Sequence, residues 1–166
     1  MPGRWEAYEE LQRYPLTAER RDLLLAEAVE CAVTWIDADG WPMGVVHWFV
    51  WERGRFFVTA GTRRTRVAAL RERAQSSVIV SGSGTSLGPG LSVTAVTRAL
   101  VHDDEETLRW FAAALSGKAH RGNPAMAARF ERMLVETDRV VIELEPLRFV
   151  SHDGARMGAA VQKLPA

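Results

Sequence analysis

Three β-prone runs lie end to end between Cys31 and Ala60, with only tight-turn signals between them. Residues 31–36 are followed by Asp37-Ala38-Asp39-Gly40, and residues 43–51 by Glu52-Arg53-Gly54; residues 55–60 complete the set. Glycine tolerates positive φ and aspartate bonds to nearby backbone, so both connections read as hairpin turns. The three runs are therefore expected to form an antiparallel meander. Further strands are expected at 77–80, 91–102, 139–144 and 147–151, the last two broken at Pro146. Alternating β-α units are absent, which excludes a doubly wound parallel sheet. Six or seven antiparallel strands with flanking helices are best served by a closed or nearly closed barrel, because closure removes exposed strand edges.

Helices are expected in four places. Residues 17–30 carry Thr17 as a cap and a stripe of Leu23, Leu24, Glu27 and Ala28. Residues 65–73 place Val67 and Leu70 inward, with Thr65 as a candidate cap. Residues 103–115 align Leu108, Phe111 and Leu115 on one face, and Asn123-Pro124 opens a helix with Met126, Phe130, Met133 and Leu134 inward. The 166 residues hold one domain, without linker or internal repeat. Residues 1–16 read as an N-terminal arm, 17–157 as the barrel domain and 158–166 as a frayed C-terminal tail.

Charge and cysteine content narrow the function. Lysine plus arginine and aspartate plus glutamate each number 21, so the net charge is zero and the basic excess of a nucleic-acid binder is missing. Cys31 stands alone, which excludes a disulfide framework and a cysteine-based zinc site and fits a cytoplasmic protein. No apolar run approaches the ~18 residues of a membrane span, and residues 1–10 lack the apolar core of a secretory signal.

Two segments carry candidate chemistry. Thr59-Ala60-Gly61-Thr62-Arg63-Arg64-Thr65-Arg66 sets hydroxyls and arginines between a strand and a helix start, where free N–H groups and the helix dipole favour an anion. A solvated basic turn has the same composition, and both readings stand. Val45-Val46-His47-Trp48-Phe49-Val50-Trp51 alternates faces as a strand, with His47, Phe49 and Trp51 on one side and Val46, Trp48 and Val50 on the other. His47 can serve a ligand or sit as a satisfied core residue. The glycine-rich segment 81–90 lacks either phosphate-loop signature and reads as a loop. His102 with Asp103 and Asp104, His120, and His152 with Asp153 have no metal-ligand spacing. No nucleophile-elbow signature supports serine catalysis.

The order of these features resembles the pyridoxamine 5′-phosphate oxidase-like family, and within it the small flavin- or deazaflavin-binding split-barrel proteins. The resemblance runs over residues 23–157, through Thr34–Asp37, Gly40, Pro42, the 45–51 run, Gly54, 56–59, 63–70 and the closing 145–154. It implies a six- to seven-stranded split β-barrel, Greek-key-like, forming a homodimer with cofactor sites at the interface. It further implies that Val45, Val46, His47 and Trp48 run along the ring of FMN. Thr59, Ala60 and Gly61 would approach the ring and ribityl chain, and Thr65 and Arg66, aided by Arg63 or Arg64, would hold the phosphate. Arg66 stands where the family commonly has lysine. Ala69 stands where relatives that bind the deazaflavin F420 often carry asparagine, and no tryptophan follows Trp110, so the C-terminal substrate pattern of true pyridoxamine 5′-phosphate oxidases is missing. The resemblance thus implies a flavoprotein oxidoreductase acting on a small molecule other than a B6 vitamer, with no catalytic residue assigned. F420 in place of FMN, its anionic tail served by the cluster Arg63, Arg64 and Arg66 with Arg71 and Arg73 beyond, is the near alternative. A cofactor-binding module without turnover is the other. Six tryptophans fit the aromatic-rich core of a dimer interface.

Overall fold

The structure is a computed structural model, and it describes residues 14–162. The expected arm at 1–16 therefore lies almost wholly outside the described residues. Helix α1 (Ala18–Glu27) precedes strands β1 (Glu30–Ile36), β2 (Pro42–Trp48), β3 (Val50–Glu52) and β4 (Arg55–Gly61). Then come α2 (Thr65–Glu72), β5 (Gln75–Ser81), β6 (Leu91–His102), α3 (Glu105–Ala119), α4 (Pro124–Glu136), β7 (Arg139–Asp153) and α5 (Gly154–Gln162). All pairings are antiparallel, in the order β2-β1-β5-β6-β7-β4-β3.

The expected meander is corrected at one residue. β2 and β3, the outermost strands, are two halves of the 43–51 run, joined only by Phe49. Phe49 leaves the ladder: its N–H donates to the Val29 carbonyl at 3.0 Å and its side chain is fully buried. The run bends there, one half pairing with β1 and the other with β4. The two ends of the seven-stranded sheet thus meet at this corner, which curls it into a split barrel with helices outside. Side-chain alternation survives the bend. Val45, Phe49 and Trp51 face the interior, while Val46 and Trp48 face outward.

Two layers of apolar packing hold the fold. The barrel interior joins Leu24 and Leu25 of α1 to Val33, Phe56, Val58, Leu70, Val78, Val93 and Ile142. The outer face of β3, β4 and β7 presents Val50, Phe57 and Val141 to Phe111 and Leu115 of α3 and Leu134 of α4. Each such side chain contributes about 1.5–3 kcal/mol by leaving water.

Caps follow the sequence at most starts. Thr17 accepts from the Arg20 N–H at 3.3 Å, Asp104 from Thr107 at 2.7 Å and Asn123 from Met126 at 3.1 Å. Thr65 does not cap α2. It is the first helical residue, Arg64 takes the cap position, and no side chain accepts from the first turn. The stripe of α1 is Leu24, Leu25 and Ala28, with Leu23 turned to solvent. Met126 and Met133 are also exposed, because α4 packs on the outside of the sheet and only Leu134 reaches fully beneath it. β7 is one strand rather than two. Thr97 pairs with Pro146 and Val96 with Arg148, so Leu147 bulges out and absorbs the proline. Of the expected tail at 158–166, residues 158–162 continue α5, and 163–166 lie outside the described residues. No helix among the described residues is long and apolar enough to cross a membrane.

Candidate functional site

The bend at Phe49 creates a fork. β2 pairs only with β1, and residues 58–61 of β4 pair only with β7, so the facing edges of β2 and β4 have no ladder partner. A cleft of about 260 Å³ opens between them. Val45, Val46, His47 and Trp48 form one side, Thr59, Arg66 and Arg139 the other, and Leu115, Phe130, Met133 and Leu134 the helical wall. Trp48 meets Phe130 edge-on at 5.5 Å and His120 at 5.8 Å between ring centres, which stiffens the mouth.

The expected residues divide in this frame. Arg66 is half-buried and lines the cleft. Arg64 is exposed at the cap of α2, near enough that its charge acts on Arg66 and Arg139. Thr59 is buried and donates its hydroxyl proton to the Val140 carbonyl at 2.8 Å, leaving only lone pairs for a ligand. Ala60 sends its methyl into the barrel core, so only its backbone can face the cleft. Gly61 lies at the ladder's end, where a Cβ would meet the Asp138 carbonyl at an ordinary 3.7 Å. Arg63 and Thr65 are exposed and do not line the cleft.

Arg139 is the residue that sequence reasoning missed. It opens β7, and register places it directly opposite Gly61. Its Nε donates to Thr137 Oγ1 at 2.8 Å. No local signal marks it, since it lies beside an ordinary strand start.

The electrostatics are one-sided. Burial and then the neighbouring guanidiniums, Arg64 and Arg139 for Arg66 and Arg64 for Arg139, hold both Arg66 and Arg139 below the usual arginine range. Among the described residues, none of Arg64, Arg66 and Arg139 forms an ion pair with a carboxylate. Burial, then Arg66 and Arg139, push the His47 imidazole down to about 4. Like charges gathered together are destabilising unless an anion joins them, and the carboxylate beside Arg139, that of Asp138, is engaged by the Thr62 hydroxyl rather than by a guanidinium. Two larger cavities, of about 340 and 420 Å³, lie elsewhere, and each contains carboxylates beside its cations. In the first, buried Glu143 binds Arg55 and accepts from His102 Nε2 at 2.8 Å. Size alone therefore does not single out a site; the cleft between β2 and β4 differs in having cations and no carboxylate in its lining. Arg71 and Arg73 are engaged elsewhere, Arg71 with Asp103 and Arg73 with the Asp37 carbonyl at 2.9 Å and Glu72 at 3.3 Å.

No protein-family model matches the chain, and no curated protein does. Solved structures do. A conserved hypothetical protein, Rv2991 of Mycobacterium tuberculosis, superposes with a TM-score of 0.69 at 15% identity, covering 92% of this chain and 91% of that one. A FAD-binding protein of Mesorhizobium loti gives 0.61 at 15%, covering 82% and 94%. A protein of Listeria innocua described as a putative pyridoxamine 5′-phosphate oxidase gives 0.59 at 14%, covering 80% and 95%. The curled seven-stranded antiparallel sheet with its flanking helices thus matches the pyridoxamine 5′-phosphate oxidase-like split barrel, and this chain has that fold.

Proposed function

We propose that this chain binds FMN non-covalently in the cleft between β2 and β4 and works as a homodimeric flavin-dependent oxidoreductase on a small molecule. The observation that carries this reading is that Arg66 and Arg139 line the cleft beside an apolar wall, with Arg64 close enough to act on both and no carboxylate in the lining. Arginine's fork of donors suits a phosphate, and α2 begins with an uncapped first turn at the same place. Val46, Trp48, Phe130 and Met133 offer a surface for a planar ring and keep water from it. Bound FMN supplies hydride and electron transfer; the chain contributes grip, orientation and a dry wall. FMN is preferred to F420 because two of the five arginines that could serve a longer anionic tail, Arg71 and Arg73, are already paired.

Two features support the dimer. The cleft of one chain, about 260 Å³, falls below the roughly 300–1,000 Å³ of ordinary ligand sites, and a wall from a second copy would enlarge it. An apolar row also crosses five strands in register: Val46, Ala32, Ile79, Thr94 and Val150. Val46, Ile79 and Val150 are 61%, 41% and 50% exposed, and Val46 belongs to the cleft as well. A second copy placed on that row would cover it and complete the site.

The test is an FMN titration of the wild-type chain and of Arg66→Ala. Loss of one charge-assisted phosphate contact is expected to cost about 1.5–3 kcal/mol. Unchanged affinity would remove the assignment, and tight F420 binding without FMN binding would replace the cofactor.

A further inference from the structure

We infer that the cavity between the β3–β4 hairpin and the start of α3 is a second binding site, one that takes a zwitterionic α-amino acid with an aromatic or other apolar side chain. This goes beyond the FMN reading and does not depend on it. The cavity shares no lining residue with the cleft between β2 and β4, and none with the apolar row through Ile79.

The space and its walls suit a small molecule. The cavity measures about 340 Å³, inside the roughly 300–1,000 Å³ of small-molecule sites. Strand register builds its floor: Phe57 of β4 pairs with Glu143 of β7, and both side chains stand on the outer face of the sheet. Glu143 is 8% exposed and both its oxygens are engaged, one by Arg55 and the other by His102 Nε2 at 2.8 Å. The floor is therefore polar but already satisfied. Trp110 of α3 meets Phe57 edge-on at 4.8 Å between ring centres and is still 36% exposed. An indole fixed against a second ring and left open gives an apolar ligand body a flat wall.

The charges come from two elements. Asp103 to Glu106 are four consecutive acids, and three of them are occupied. Asp103 pairs with Arg71, Asp104 caps α3 through the Thr107 N–H at 2.7 Å, and Glu105 accepts from Arg109 Nε at 2.9 Å. Glu106 is the one that lines the cavity, and the hairpin contributes Glu52 and Arg53. Among the described residues, none of Glu52, Arg53 and Glu106 forms an ion pair. Arg53 also sits where arginine is poorly suited. Its φ of 51° is followed by 75° at Gly54, the paired positive angles of a tight hairpin turn that favours asparagine or glycine at the first place. The turn itself gives no reason for an arginine. A ligand carboxylate does, because the guanidinium fork matches it.

A zwitterion answers both signs. Its carboxylate meets Arg53, its ammonium meets Glu106 or Glu52, and its side chain lies on Trp110 and Phe57. A ligand with only a cation leaves Arg53 as an unmatched like charge, and one with only an anion faces the two free carboxylates. Binding forms no covalent bond and moves no electron.

Saturation-transfer NMR on the full wild-type chain, with L-phenylalanine, phenethylamine and 3-phenylpropionate as probes, tests this without a variant; calorimetry then ranks the affinities. L-phenylalanine is expected to bind, and each analogue lacking one charge to bind at least about tenfold more weakly. Arg53→Asn and Glu106→Gln are each expected to weaken L-phenylalanine by about tenfold. Arg53→Asn should also melt no earlier than wild type, since asparagine suits the turn; weaker binding by a chain that is no less stable marks a ligand contact rather than a structural one. No L-phenylalanine binding at millimolar concentration would overturn the inference. So would phenethylamine or 3-phenylpropionate binding as tightly as L-phenylalanine, or L-phenylalanine binding that neither substitution alters. FMN titrated in parallel should bind wild type and both variants alike. Failure of FMN to bind would count against the cleft reading alone.

Discussion

Arg139 and Gly61 face each other across the last rung of the β4–β7 ladder, so a strand far along the chain delivers a guanidinium to the turn that carries Arg64 and Arg66. On the proposed reading, this pairing makes the basic turn a three-sided anion cradle. Arg139→Ala is accordingly expected to weaken FMN binding by about 1.5–3 kcal/mol, as Arg66→Ala does. Arg63→Ala, at an exposed position outside the cleft, is expected to change it by less than about 0.5 kcal/mol. Fluorescence titration of all three variants ranks them. Equal losses at Arg63 and Arg139 would mean that general basicity, not the cradle, attracts the phosphate.

The apolar row through Ile79 gives a second expectation. Ile79→Lys sets a charge at the middle of that row without touching the barrel interior. Sedimentation should show a dimer for wild type and a monomer for the variant, with weakened FMN binding, because an unpaired charge in an interface core is costly. A variant that stays dimeric would place the dimer contact elsewhere.

Cys31 is 2% exposed, and burial raises its thiol to about 12. Reactivity follows the thiolate, so alkylating reagents at pH near 8 should leave it unmodified in the folded chain and modify it on denaturation. Mass spectrometry of native and urea-treated samples reads this directly. Rapid native labelling would contradict the packing of β1 against the interior.

Lys118 lies over the Phe49 ring at 4.0 Å and donates to the Leu25 carbonyl at 3.3 Å. Burial, its largest influence, lowers the ammonium to about 8 from 10.5. The unfolded chain thus holds this proton more tightly, so the group's contribution to stability rises as pH climbs from about 8 toward 10.5. Thermal melts should show wild type gaining on Lys118→Met between pH about 7 and about 9.5. A constant gap between the two would mean that the lysine titrates at its ordinary value.

Much of the fold is written locally. The turns at Gly40 and Gly54 take the positive φ that glycine permits, 88° and 75°, and both hairpins form as their residues predict. Leu91–His102 is a strand over the full expected span, and Thr17 and Asn123 cap where their side chains suggest. The arginine turn, too, is visible in the chain as a cluster between a strand and a helix.

What the chain alone does not reveal depends on partners distant in sequence. The 43–51 run is apolar apart from His47, so nothing in it marks Phe49 as the bend; the fold shows it there through the full burial of the Phe49 side chain and the turn of its N–H to the Val29 carbonyl. Leu147 bulges because the long β6 partner keeps its own register past Pro146. Arg139 joins the site, and Arg71 and Arg73 leave it, through pairings set by strand register and by surface carboxylates. Residue types and turns are local properties, so sequence determined the strands, the hairpins and the candidate anion-binding turn. Burial and cross-strand register are collective ones, and only they decided where the barrel splits and which cations surround the split.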